Sequence, residues 1–408
     1  MDGARTANDI MFLICTTVTG AVAGAFVWCL MFAMDTSISF IWDRIPIYLG
    51  GAYPIIMCIL GGAVIGFFVK RFGPYPESLP TVMAKVKKGG YDYDKLGRMS
   101  VGAILPLMFG GSVGPEAGLS GAIAAICTWA GDRMKRFGRC FERLSEVGTY
   151  AALSALFTAP FYGLGGAAEK SEGWEISDVM RWMAYITSIA GAVGMFLLLS
   201  DLIGGGFSLP RYTDIAYGAD EFIWMIPLML TGAFGGWLFC MSEIVFKRIA
   251  SLFGDRIVLM TMFSGALLGL SGMILPLTMF SGEMQTEELD ATWMTMSATV
   301  LILIGLLKIM VTSMCVNMGW RGGHFFPLIF SGIALGYGMS MMLSLDPIFC
   351  VCAVTAAVVG AVTRRPLMSV LLLFLCFPLH SVLVLVAAAF IGSRIPLPES
   401  VGEIEKTG

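Results

Sequence analysis

The chain has 408 residues, of which 57% are hydrophobic and only 13% are charged. An average soluble domain has about 25% charged residues, so this composition excludes a water-soluble protein and predicts one whose solvent is the lipid bilayer. The ten cysteines lack metal-ligand spacing, so we predict no metal or other cofactor. The net charge of −3 says little about partners, but the basic residues lie in loops rather than in a stripe that would bind nucleic acid, so no nucleic-acid partner is expected.

Seven stretches reach the roughly 20 apolar residues that a helix needs to cross the hydrocarbon layer. In chain order they are Ile10 to Met34, Ile45 to Val69, Met99 to Gly131, Trp182 to Ser200, Phe222 to Ser242, Ile257 to Gly282 and Pro366 to Ser393. Only the third contains a charged residue, Glu116. No small-residue cleavage site follows the first stretch, which favours a retained helix over a signal peptide. The pattern predicts a multi-pass protein of the cell membrane.

Two loops rich in Lys and Arg set the predicted orientation, because such residues near span ends favour the cytoplasmic side. They are Lys70 to Arg98 and Arg133 to Arg143, whereas Glu283 to Asp290 is acidic and fits the outer side. If both basic loops are cytoplasmic, Met99 to Gly131 must enter and leave the membrane on one side, as a broken pair of helices. We expect both chain termini in the cytoplasm.

The break in this hairpin is the segment Gly110 to Pro115, with the sequence GGSVGP. Glycines relax the backbone there, and proline is tolerated in the first turn of a new helix. The same GGxxxP pattern recurs at Gly322 to Pro327, and a second matched pair joins Ala151 to Phe161 with Ala356 to Leu367. The chain is therefore predicted to hold two related halves, residues 1–210 and 211–393, followed by a short tail, 394–408, without a cytoplasmic regulatory domain.

Corresponding Gly/Pro breaks in two halves are typical of an ion site at the repeat interface near the membrane midplane. A helix that begins at this depth points N–H groups and a partial positive charge at the membrane centre. Such helix ends bind anions without the full charge of a Lys or Arg, which suits rapid release. The alternative is that the glycines only permit close helix packing, as small residues do in many membrane proteins.

These motifs resemble those of the chloride channel and transporter (CLC) family over roughly residues 50–393. The family's GxFxP motif is intact as Gly323 to Pro327, and its G(R/K)EGP motif corresponds to Gly111 to Pro115. Phe157 to Phe161 resembles the family's FNAPL. The remaining motif, GSGIP, has an altered counterpart at Pro76 to Pro80, which keeps a serine and the final proline.

The resemblance implies an all-α polytopic fold with inverted repeats and broken, re-entrant helices. It also implies a homodimer with one pathway in each subunit, and a small inorganic anion, chloride by default, held by backbone amides and a hydroxyl. The implied anion pathway consists of Ser78, Val113, Gly114, His324, Phe325 and Phe326. The implied motif backbone consists of Gly110, Gly111, Pro115, Gly322, Gly323 and Pro327.

The departures from the family pattern bear on mechanism. Val113 occupies the position at which the family's glutamate blocks the path and carries the proton of exchange. The position of a second family glutamate corresponds to Lys170, with Glu169 beside it. The tyrosine that many relatives supply near the C-terminus has no counterpart after Ser393. We therefore predict a passive anion channel of this voltage-gated channel family. Two alternatives stay open: a proton-coupled chloride or fluoride antiporter with a displaced carboxylate, and a polytopic membrane enzyme, for which no nucleophile motif is present.

Three glutamates are candidate gates or proton carriers: Glu116, Glu77 and Glu169. Glu116 lies in the first predicted turn after the first break, where a carboxylate is either a displaced gate or a favourable partner of the helix N-terminus. Glu77 is either a cytoplasmic-side gate or a solvated loop residue beside the basic run.

Three other ionisable residues lie near apolar segments. His324 either makes conduction pH-sensitive or contributes only its backbone to the site. Lys308 and Arg321 are predicted to mark span ends, where their side chains snorkel to the interface. The alternative is that one of them lines a vestibule and raises the local concentration of anions.

Overall fold

The computed structural model describes residues 2–44, 50–73, 75–134, 143–168, 177–206, 209–215 and 217–396. Within these ranges the chain forms sixteen α-helices and no β-strand, with one isolated backbone bridge between two glycines. Glu169, Lys170 and most of the predicted tail lie outside the described residues.

The helices range from 8 to 38 residues in length. The first eight are α1 (Asp2–Ser39), α2 (Tyr53–Phe72), α3 (Leu79–Lys87), α4 (Leu96–Met108), α5 (Pro115–Met134), α6 (Leu144–Leu156), α7 (Pro160–Ala168) and α8 (Asp178–Ile203). The other eight are α9 (Ala219–Ser251), α10 (Ile257–Ile274), α11 (Glu283–Thr292), α12 (Ala298–Asn317), α13 (Phe325–Leu343), α14 (Pro347–Thr363), α15 (Pro366–Leu373) and α16 (Val382–Ser393).

Seven of the described helices are long and apolar enough to cross a bilayer, namely α1, α2, α8, α9, α10, α12 and α13. The predicted spans in α1, α2, α8, α9 and α10 are thereby confirmed. Two other predicted stretches, Met99 to Gly131 and Pro366 to Ser393, are each broken into two helices, α4 with α5 and α15 with α16. The protein is a multi-pass membrane protein with broken helices.

The predicted spans did not include α12, because Lys308 interrupts its apolar run. The structure places Lys308 in the middle of α12 with its side chain fully buried, so the prediction that it marks a span end is wrong. The physical reason is that backbone carbonyl oxygens, rather than interfacial water, accept hydrogen bonds from its ammonium group. A different basic residue of the second unit, Arg364, lies at a helix end, as the residue that follows α14.

The chain forms two compact units, of which the first comprises the described residues of Met1–Ser37, Tyr75–Ile104 and Glu116–Leu209. Its helices α1 and α8 pack through small residues. Gly20 and Gly24 of α1 lie directly against the backbone of α8, and Gly191 of α8 lies against the backbone of α1. Any side chain at these glycines would overlap a neighbouring carbonyl group, which explains why both helices use small residues at the contact.

The second unit comprises the described residues of Ile38–Pro74, Leu105–Pro115 and Pro210–Gly408. Its centre is α14, in which every residue of the segment 349–361 is buried. Gly232 of α9, Gly332 and Gly336 of α13, and Gly392 of α16 each lie against the backbone of α14. These close contacts fix the position of α13, the helix that follows the second predicted break.

The two segments of the second matched pair share one backbone feature, a residue with positive φ two positions before a proline. Thr158, between α6 and α7, has φ of 48°, and Arg364, between α14 and α15, has φ of 57°. Each lies two residues before the proline that begins the next helix, Pro160 or Pro366. A proline disfavours helical geometry in the residue before it, so each helix ends and the chain turns before a new helix begins.

Candidate anion site

The first helix break separates α4 from α5. Gly110 has φ of 85°, in the left-handed region that favours glycine, and this lets the chain leave α4 abruptly. The N–H of Gly111 donates to the carbonyl oxygen of Pro106 at 2.8 Å. A Cβ on Gly111 would lie 2.6 Å from that oxygen and 2.9 Å from the ring of Trp320. The geometry of the break therefore requires both glycines.

The second helix break separates α12 from α13. It turns at Gly319, which has φ of 94°. Trp320 is fully buried, its backbone N–H donates to the carbonyl oxygen of Cys315 at 2.9 Å, and its Nε1 donates to that of Thr261 at 3.0 Å. The two GGxxxP motifs differ in register, because α5 begins at its proline whereas α13 begins two residues before Pro327.

A pair of hydrogen bonds joins the two breaks within the second unit. The N–H of Gly114 donates to the carbonyl oxygen of Gly323 at 2.7 Å, and the N–H of Gly323 donates to that of Gly114 at 2.7 Å. Val113 is fully buried, and a Cβ on Gly322 would lie 2.6 Å from the Cβ of Val113. The structure thus brings four of the residues that the sequence singled out into direct contact.

The start of α13 presents the N–H groups that the family resemblance assigns to the anion site. His324 is its N-cap residue, and Phe325 and Phe326 lie in the first turn of this 19-residue helix. The side chain of His324 makes no capping hydrogen bond to the helix. Because the first-turn N–H groups have no acceptor within a helix and carry the positive end of its dipole, this position is suited to a small anion.

The imidazole ring of His324 packs among aromatic side chains. Its centroid lies 5.4 Å from that of Phe239 and 5.0 Å from that of Phe325. In the part of the chain that the structure describes, no hydrogen bond to this ring occurs. The packing favours the interpretation that His324 contributes its backbone to the site.

A buried pair of hydroxyl groups, which the sequence motifs do not predict, lies at the first break. The Oγ of Ser112 lies 3.0 Å from the Oγ1 of Thr312 on α12, and both residues are fully buried. Ser112 could have been predicted as a site residue from its place in the GGSVGP segment. Thr312 lies in no motif, and the sequence distinguishes it only by its position one helical turn after Lys308.

Glu116 lies in the first turn of α5, as the sequence predicted, and only 1% of it is exposed. The positive end of the α5 dipole stabilises a carboxylate at this position. The carboxyl group of Glu116 is therefore enclosed by protein, and Glu116 follows Gly114 by two residues in the chain.

The altered first motif lies in the first unit, at the start of α3. Ser78 is the N-cap residue of α3, and its Oγ lies 2.8 Å from the Oγ1 of Thr81. The carboxylate of Glu77 accepts hydrogen bonds from Nζ of Lys85 at 2.7 and 2.6 Å. This ion pair favours the interpretation of Glu77 as a partly solvated loop residue whose charge is offset.

A cavity of about 450 Å³ opens beside this ion pair, and Lys85, Lys88 and Lys95 line it together with Glu77 and Asp92. The backbone N–H of Asp94 and the ammonium group of Lys95 lower the pKa of Asp92 below its usual range. Asp92 is therefore ionised at neutral pH, and the three lysines leave the cavity with an excess of positive charge, which attracts anions.

Substituting Lys85→Met is expected to slow anion flux a few-fold at low ionic strength. The carboxylate of Glu77, just before the start of α3, would then lose its ion-pair partner, and its negative charge would repel anions. Flux from proteoliposomes measures the effect, which added salt should reduce. Lys88→Met is the matched control, because it removes the same charge from the same cavity and leaves Glu77 paired. Equal losses of flux in the two variants would show that the charge of Glu77 does not affect anion flux. The same would follow if Glu77→Gln, added to Lys85→Met, failed to restore flux.

Broken helices in an apolar bundle, with a backbone bridge between the two breaks, are typical of membrane transport proteins that conduct ions. Residues 61–396 match the family described as voltage gated chloride channel. Because this match covers most of the chain, the protein belongs to that family, which is the CLC family that the motifs resemble. Family membership supports anion transport.

Two bacterial relatives are similar over most of their length. The proteins from Salmonella choleraesuis and Salmonella typhimurium, each named "Putative ion-transport protein YfeO", are 25% identical over 343 residues, or 79% of this chain and 78% of theirs. Both names refer to ion transport without naming the ion.

Solved structures of the same fold cover nearly the whole chain. A slow cyanobacterial Cl⁻/H⁺ antiporter has a TM-score of 0.76 at 18% identity, and the match covers 97% of this chain and 94% of that one. A CLC-type fluoride/proton antiporter has a TM-score of 0.72 at 17% identity, covering 95% of both chains. These likenesses confirm the predicted all-α fold with broken helices.

Proposed function

We propose that the protein is a passive channel for a small inorganic anion, with chloride as the default ion, and that it has no enzymatic activity. The observation that carries this proposal is Val113. It occupies the place of the family's glutamate, it is fully buried, and it packs beside the glycine pair that joins the two helix breaks. Its side chain has no titratable group, so it offers neither a carboxylate to block the path nor a carrier for a proton.

The proposed pathway passes the first turn of α13, from His324 to Phe326. That the hydroxyl of Ser78 also contacts the anion is a proposal from the family resemblance alone. The proposed assembly is a homodimer with one such pathway in each subunit, built from halves 1–210 and 211–393 and with both termini in the cytoplasm. Cross-linking in the membrane tests the assembly, and protease accessibility from each side tests the orientation.

A proton-coupled antiporter is the second candidate, and Glu116 is the observation that favours it. A buried carboxylate in the first turn of α5 lies three residues after Val113 and is able to take over the role of a displaced gate. The two structures of similar fold named above are of antiporters. Under this alternative, chloride or fluoride would move uphill when a proton gradient is imposed.

The test is flux from liposomes that contain the purified wild-type protein. We expect chloride to run down its own gradient, and an imposed pH gradient to drive no chloride uphill, because Val113 offers no carboxylate for coupling. Fluoride and nitrate, measured in the same way, identify the preferred ion. Uphill accumulation of any of these anions on the pH gradient would refute passive conduction, and its loss in Glu116→Gln would identify Glu116 as the displaced gate.

A further inference from the structure

Lys308 lies fully buried at the middle of α12. An ionisable residue inside a membrane helix is costly and marks a functional position by default. Its Nζ donates to the carbonyl oxygens of Met279 at 2.6 Å and Phe280 at 2.8 Å, and the carbonyl oxygen of Leu277 lies 3.4 Å away. Three acceptors around three N–H bonds are the surroundings that a charged ammonium group requires.

No counter-ion accompanies this charge in the part of the chain that the structure describes, where no carboxylate oxygen lies within 4.0 Å of Nζ. A further contact is the ring of Phe330, whose centroid is 5.1 Å from Nζ. Carbonyl dipoles and the negative face of a ring solvate an ammonium group without cancelling its charge. The protonated form of Lys308 therefore carries a positive charge that these described contacts do not cancel.

The carbonyl groups around this ammonium group belong to the loop from Pro276 to Gly282, and that loop holds the first helix break. The N–H of Phe280 donates to the carbonyl oxygen of Gly110 at 3.1 Å. The ring of Phe280 also packs edge-on against Trp42, with centroids 5.2 Å apart, and Nε1 of Trp42 donates to the carbonyl oxygen of Met108 at 3.0 Å. The loop thus holds the end of α4 and the first residue of the turn.

Thr312, one turn after Lys308 on α12, holds the same break at a second point through its contact with Ser112. Four residues of α-helix rise about 6 Å. Since Ser112 directly precedes Val113 and Gly114, the ammonium group lies on the order of 10 Å from the glycine pair that joins the breaks. This distance is short enough for a buried charge to act on an anion there.

We propose that Lys308 supplies a fixed positive charge at a distance from the anion site, without contact with the ion. This charge adds to the partial charges of the helix ends, raises the affinity of the site for anions and positions the first break. The ammonium group also turns the carbonyl oxygens of the 277–280 segment toward itself. For unit charges about 10 Å apart at an effective dielectric constant of about 20, the attraction strengthens anion binding by roughly ten- to twentyfold. The inference rests on the proposed anion site and is independent of whether transport is passive or proton-coupled.

The test is equilibrium anion binding to the purified, detergent-solubilised protein by isothermal titration calorimetry, with chloride, bromide, nitrate and fluoride titrated in turn. Lys308→Gln keeps hydrogen-bond donors for the loop carbonyls and removes the charge, whereas Lys308→Arg keeps the charge. We expect Kd of the tightest anion to rise about tenfold in Lys308→Gln and to stay within about threefold of wild type in Lys308→Arg. Size-exclusion profiles and thermal unfolding confirm that the variants are folded.

A wild-type Kd in Lys308→Gln would overturn the inference, since the charge would then be irrelevant to binding. An equal loss in the Arg and Gln variants would overturn it as well, because the exact shape of lysine would matter rather than its charge. Failure of either variant to fold would assign Lys308 to the fold instead. Absence of binding by the wild type would reject the anion site itself, whereas uphill pumping would reject only passive conduction.

Discussion

Substituting Val113→Glu is expected to slow anion flux at least tenfold at neutral pH and to make flux rise as the pH falls. The introduced carboxylate would lie beside the helix N-termini that we propose bind the anion, and it would compete with the anion for them. Protonation at acidic pH removes the negative charge and frees the site, so flux increases on the acid side. Chloride efflux from proteoliposomes over a series of pH values measures this profile.

Val113→Gln is the matched control, because glutamine has nearly the shape of glutamate and carries no charge at any pH. It should slow flux by its bulk and show no rise at acidic pH. Glu116→Gln should leave wild-type flux largely unchanged if Glu116 is structural. A pH-independent profile for Val113→Glu would show that this position lies outside the anion path.

Substituting Gly322→Ala is expected to have the next largest effect, because its Cβ would lie 2.6 Å from the Cβ of Val113 and 3.0 Å from the carbonyl oxygen of Gly114. Overpacking of a buried contact costs about 1–3 kcal/mol, and here it would force apart the pair of hydrogen bonds between Gly114 and Gly323. We expect a lower unfolding temperature and a loss of most anion flux.

The matched control is the double variant Gly322→Ala with Val113→Gly, which moves the side chain from one helix break of the contact to the other. Removal of the valine side chain vacates the space that the new methyl group needs, so thermal stability should return toward the wild-type value. Thermal unfolding of the four proteins in detergent gives the coupling energy between the two positions. Additive effects of the two substitutions would contradict the contact between Val113 and Gly322.

The amino-acid sequence by itself determined the class of the protein and the places where its helices break. Charge-free stretches of span length follow from the cost of placing charges in hydrocarbon, and they predicted five of the crossing helices. Glycine and proline act locally on the backbone, so Gly110 and Pro115 already marked the gap between α4 and α5. For the same reason, the matched prolines Pro160 and Pro366 anticipated two equivalent helix starts.

Only the tertiary structure decided which residues far apart in the sequence contact each other. The hydrogen bonds between Gly114 and Gly323, and the contact between Ser112 and Thr312, join residues about 200 positions apart, and no local pattern specifies such a partner. Lys308 was misplaced at a span end because a single charge in an apolar run has two low-energy solutions, snorkelling to water or burial among carbonyl oxygens. The loop from Pro276 to Gly282 selects the second, and its carbonyl groups reach Lys308 only in the folded chain.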